Sequence, residues 1–129
     1  MGRRGHDRRG RSKSGPPFVQ LHLWMLATPA WRSLTPSARA VYVELAARFN
    51  GCNNGSLALS ARDAGRLCNI NKDTATRAFR ELVDHGFIEC ATPGGFSRKV
   101  RHATEWRLTH FRCDVTNALP TKAYMRWSG

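Results

Sequence analysis

The segment from Ser60 to Gly86 constrains the fold most, because it sets two helix starts around a link of three residues. Ser60-Ala61-Arg62-Asp63 puts a hydroxyl at an N-cap and an acid three residues on, where a carboxylate suits the positive end of the helix dipole. A compact helix is predicted from 61 to about 68, with Ala64, Leu67 and Cys68 turned inward. Asn69, Ile70 and Asn71 then intervene before a second start, capped by Asn71. Beyond it Ala75, Ala78, Phe79, Leu82 and Val83 recur at i, i+3, i+4, i+7 and i+8, the spacing of one apolar helix face. Gly86 stops that helix by tolerating left-handed backbone. Two helices joined so tightly must cross sharply rather than continue, and a crossing pair needs other elements to cover its apolar faces.

Those elements read clearly on both sides. Thr28-Pro29 and Thr35-Pro36 each place a capping hydroxyl before a proline at the first helical position, where the missing N–H costs nothing. The first marks a short helix through about Arg32, and the second a longer one with Ala38, Val41, Tyr42, Leu45, Ala46 and Phe49 on one face. Upstream, the apolar stretch from Phe18 to Leu26 must pack on something. Asn50-Gly51 to Asn54-Gly55 ends the long helix, and Leu57 and Leu59 alternate with Ser56 and Ala58 as a short strand. After Gly86, residues 87–91 read as a strand, Pro93-Gly94-Gly95 as the reversal, and Trp106 and Leu108 as inward positions of a returning strand. Phe96 is expected to fold back onto the sheet. The fold class is mainly α with a small β-hairpin (α+β). One domain is expected over 16–109, after an arm over 1–15 and before a tail over 110–129. Leu119, Tyr124, Met125 and Trp127 in the tail need a partner, either the domain's own surface with the 18–34 stretch or a second copy of the chain.

Charge narrows the partners. Lys and Arg number 21 against 9 Asp and Glu, so the chain carries +12 and is biased towards polyanions. The first 15 residues hold Arg3, Arg4, Arg8, Arg9, Arg11 and Lys13 with one acid, Asp7, which leaves +7 for the other 114. With four glycines and no large apolar side chain beyond Met1, this opening cannot bury enough surface to offset its ordering entropy, and a disordered basic arm is expected. The glycines oppose an amphipathic presequence, no apolar core follows the arginines, and His6 stands where myristoylation wants Ser or Thr. No apolar run approaches the roughly 18 residues of a membrane span. A cytoplasmic, nucleoid-associated protein with no membrane partner is expected.

The run from Ile70-Asn71-Lys72-Asp73-Thr74-Ala75-Thr76-Arg77 through Ala78-Phe79-Arg80-Glu81-Leu82-Val83 to Asp84-His85-Gly86-Phe87-Ile88 resembles the second helix and first hairpin strand of bacterial winged helix-turn-helix DNA-binding proteins. The resemblance covers about residues 34–109. Phe49-Asn50-Gly51 through Asn54-Gly55, the Asp73-Thr74 pair and Ala103-Thr104-Glu105-Trp106-Arg107-Leu108-Thr109 are similar to uncharacterised bacterial helix-turn-helix proteins, and loosely to the N-terminal domains of phage replication-initiation proteins. The resemblance implies a winged helix-turn-helix that binds double-stranded DNA sequence-specifically. Its setting would be transcription regulation or replication initiation of a plasmid or phage-like element, with a homodimer as one option.

The side chains point the same way on their own chemistry. Asn71, Lys72, Thr74, Thr76, Arg77 and Arg80 lie off the apolar stripe or at its start. Arg77 suits guanine, whose O6 and N7 a planar fork can bond together, and Thr76 suits a thymine methyl. Lys72, Thr74 and Arg80 suit phosphates, helped by free N–H groups at the helix start. Arg62 is either a backbone anchor or simply exposed, as is Arg66. Residues 92–104 hold Arg98, Lys99 and Arg101 beside His102 and no acid, so a basic hairpin would meet phosphates or a minor groove. A plainer reading stands beside this one. Residues 71–86 have no net charge, and Arg77 lies within i±4 of Asp73 and Glu81. An RNA-binding module and a protein-interaction adaptor whose winged helix binds no DNA are the alternatives.

Chemistry at a catalytic site is not expected. The sequence holds no G-x-S-x-G, no G-x-x-x-x-G-K-[ST] and no H-E-x-x-H. Cysteines 52, 68, 90 and 113 form no C-x-x-C pair, and Cys90, His102, His110 and Cys113 match no zinc spacing. Neither an enzyme, a cofactor, a metal nor a small-molecule substrate is expected.

Overall fold

The computed structural model describes residues 15–97 and 100–129, with backbone alone for 95–97 and 100–102. The expected basic arm therefore lies outside the described residues except for Gly15, as do Arg98 and Lys99. Among the described residues the chain runs α1 (Leu23–Leu26), α2 (Pro29–Arg32), α3 (Pro36–Ala47), β1 (Leu57–Ala58), α4 (Ala61–Cys68), α5 (Lys72–Asp84), β2 (Ile88–Thr92), β3 (Gly95–Ser97), β4 (Val100–His102), β5 (Glu105–Leu108) and a 3₁₀ turn at Ala123–Arg126. The class is α+β, with five helices and small antiparallel sheets.

Side-chain caps start four of the helices where the sequence placed them. The oxygens of Thr28, Thr35, Ser60 and Asn71 accept from the backbone N–H groups of Trp31, Ala38, Asp63 and Thr74. The fifth, α1, was not expected. It folds part of the apolar stretch into one turn that buries Met25. Asn69 closes α4 in left-handed backbone, φ 58°. The link then passes so close to Gly65 that a Cβ there would stand 2.8 Å from the Ile70 carbonyl oxygen. This contact sets which side of α4 faces inward. Ala64 and Gly65 are buried, whereas Leu67, expected inside, is 40% exposed. Val83 is also displaced from expectation at 41% exposed, because the buried stripe of α5 is Ala75, Ala78, Phe79 and Leu82 and none of the described elements covers its flank.

The core lies between α3, α5 and the sheet. Ala38, Val41, Tyr42 and Leu45 of α3 meet the α5 stripe, and Ile88 and Leu108 close it from β2 and β5. Trp31, Tyr42 and Phe87 pack edge to face at 5.5–5.9 Å between centroids, a favourable arrangement of ring quadrupoles. Phe79 lies flat on Trp106 at 4.6 Å, and the Trp106 indole N–H donates to the Leu59 carbonyl. Trp106 is thus a core residue, as its alternation with Leu108 predicts.

Three strands pair in the order β1-β5-β2. A register shift between Cys90 and Thr92 puts one extra residue, Ala91, in β2. Pairing stops at 93–94 and 103–104 and resumes in the register set by Thr92 and Glu105, with Gly95 opposite His102 and Ser97 opposite Val100. The sheets are therefore two stretches of one long hairpin. This corrects the reversal expected at Pro93-Gly94-Gly95: β3 still runs outward past those residues, and the Gly94 N–H donates to the Thr104 hydroxyl across the two arms.

The segment after 110 closes onto the same core. Tyr124 is buried, stacked on Phe87 at 4.8 Å, and its hydroxyl is hydrogen-bonded to His110 Nδ1 at 2.6 Å. His110 Nε2 in turn meets His22 Nδ1 at 2.6 Å, tying the N-terminal stretch to the end of the chain. Burial, then the neighbouring His22 and Lys122, push the His110 pKa down to about 4. Leu119 and Met125 remain exposed. No helix among the described residues is long and apolar enough to cross a membrane.

Candidate nucleic-acid interface

The face of α5 opposite the core gathers Lys72, Asp73, Thr76, Arg77 and Arg80, all exposed, with Asn71 at its start and Thr74 half-buried beside them. Local hydrogen bonds decide what each can still offer. Asn71 Oδ1 accepts from the Thr74 N–H at 2.7 Å, so its carbonyl is occupied by the cap. Thr76 donates its hydroxyl to the Lys72 carbonyl at 3.0 Å, a bond that holds its rotamer. Arg77 donates one N–H to the Thr74 hydroxyl at 3.3 Å, which keeps the guanidinium against the helix start and leaves its other donors open.

One of the two acids within helical reach of Arg77, Glu81, is turned elsewhere, and the other, Asp73, makes no ion pair with it. Glu81 accepts from the Thr35 backbone N–H at 2.7 Å and from the Thr35 hydroxyl at 2.8 Å, fastening α5 to the start of α3. Among the described residues, Arg77 and Arg80 form no ion pair; the pairs found are Arg66 with Asp63, Arg107 with Glu89 and Arg112 with Asp114. Sequence spacing did not reveal the role of Glu81, because its partner lies 46 residues away.

Beside the basic face runs a feature that the sequence did not announce, a groove of about 350 Å³ between α5 and the base of the hairpin. Phe79, Val83, Leu59 and Trp106 give it apolar walls, and Thr76 and Arg80 stand on its α5 side. The signal was present in Val83, an apolar residue at the margin of the stripe. A second cavity of about 270 Å³ lies over Gly55, Glu89, Arg107 and Cys113. There the cation is already paired with an acid, so this cavity does not extend the positive surface. Burial alone would raise the Cys113 thiol pKa, but hydrogen bonds from Thr116, Val115 and Arg107 bring it below its ordinary value.

Arg62 is exposed on the first turn of α4. The backbone of Arg101 pairs with Phe96 in the outer part of the hairpin. Among the described residues no three His, Cys, Asp or Glu side chains gather as metal ligands would. Compared with family models, curated proteins and solved structures, the chain matches none.

Proposed function

We propose that the chain is a winged helix-turn-helix protein that binds double-stranded DNA sequence-specifically, with α4 and α5 as the helix pair and the long hairpin as the wing. The observation that carries this reading is the state of α5: Arg77 and Arg80 are exposed and free of ion pairs among the described residues, while Glu81 is held by Thr35. A helix with one face in the core and arginines free of ion pairs on the other has the form needed to enter a major groove about 12 Å wide. Arg77 reads guanine. Lys72 and Arg80 hold phosphates, and Arg62 anchors the backbone from α4. Arg98, Lys99 and Arg101 add cations within 92–104, a stretch that holds no acid.

The protein acts by occupying a site, as a transcription regulator or an initiator of replication, in the cytoplasm at the nucleoid; it is not an enzyme and needs no cofactor. Selection of bound duplexes from a random-sequence pool tests this. DNA recognition yields a defined motif, and a two-fold symmetric motif reports a homodimer. If duplex RNA outcompetes every recovered DNA duplex, the protein is an RNA binder instead.

A further inference from the structure

The hydrogen bonds within α5 limit which bases it can read, an inference that rests on the DNA-binding reading above. Adenine is recognised by a side-chain amide whose carbonyl accepts from N6 while its N–H donates to N7. Asn71 is the one amide from 71 to 84, and one lone pair of its carbonyl already accepts from the Thr74 N–H, which ties its side chain to the cap. Thr76 is exposed and has its hydroxyl proton fixed on the Lys72 carbonyl, so the contact groups left to it are its γ-methyl and a hydroxyl oxygen that can only accept. Past Thr76 the groove is lined by Leu59, Phe79, Val83 and Trp106, with Thr104 and Arg80 as its further polar residues.

We propose that α5 recognises thymine by its 5-methyl group, seated against Thr76 and the mouth of the adjoining apolar groove. Thymine differs from uracil by that methyl alone, so the same contact favours DNA over a duplex of RNA. Arg77 and Arg80 flank Thr76 by one and four residues and supply the donors that orient the strand.

The test uses a duplex recovered by selection on the full chain, with its thymines replaced one at a time by deoxyuridine. Pairing and charge are unchanged, and one methyl is removed. At one or two positions the wild-type protein should bind about fourfold more weakly, the value of one buried methyl group. Thr76→Ser should erase that difference while keeping the hydroxyl, and Thr76→Val should preserve it. The inference is overturned if every deoxyuridine duplex binds like its parent, or if Thr76→Ser retains the difference. In either case tight, salt-dependent duplex binding would persist and the DNA-binding reading would stand. If the wild-type chain binds no duplex, that reading falls and the thymine contact falls with it.

Discussion

The two faces of α5 are built by different forces. On the inner face Ala75, Ala78, Phe79 and Leu82 are at most 5% exposed, and their positions follow from packing against α3, α4 and Trp106. On the outer face Thr76 and Arg77 bond within the helix itself, and their orientation follows from which donors and acceptors remain unused. Stability should therefore reside on the inner face and binding on the outer one, with little exchange between them.

The comparison breaks most visibly at Leu82, which is fully buried. Leu82→Ala should destabilise by about 2–5 kcal/mol in urea unfolding, and duplex affinity should fall only as the folded fraction falls. Gly86→Ala comes next. Its φ of +87° and a Cβ 2.6 Å from the Tyr124 N leave no room, so a loss of roughly 2 kcal/mol or more is expected in the same assay.

Acid should loosen the closure around His110 while leaving α5 alone. Its folded pKa of about 4 lies below the ordinary 6.5, so the unfolded chain binds the proton first. Stability held above pH 6.5 should fall as the pH drops towards 4, by on the order of 2 kcal/mol, and His110→Gln should flatten that part of the pH profile.

The smallest effects separate the faces. Glu81→Gln keeps one acceptor for Thr35 and removes a negative charge beside the basic face. It should cost about 1 kcal/mol of stability and tighten duplex binding. Arg77→Ala should change stability by no more than about 0.5 kcal/mol, while discrimination between duplexes drops by roughly 1–3 kcal/mol.

Caps and periodicity made the helix pair legible, because Ser60, Asn71 and the α5 stripe act within a few residues of themselves. The misreadings share a cause in contacts between distant segments. Leu67 faces outward because the link closes over Gly65, and Val83 because none of the described elements covers the flank of α5. Cross-strand pairing of Gly95 to Ser97 with Val100 to His102 carries the hairpin past Pro93-Gly94-Gly95, although those residues favour a turn locally. Likewise Glu81 has Arg77 within helical reach, yet Thr35 offers it two donors at once. The candidate site was thus readable as a set of residue types, but its free and occupied hydrogen-bonding groups were not.

The most direct test of duplex binding through this face is the salt dependence of affinity for a selected duplex. With about five phosphates neutralised from among Arg62, Lys72, Arg80, Arg98, Lys99 and Arg101, log K should fall against log salt with a slope near −4.5, and by about one unit less for Arg80→Ala. A slope near zero, or one that Arg80→Ala leaves unchanged, would contradict it.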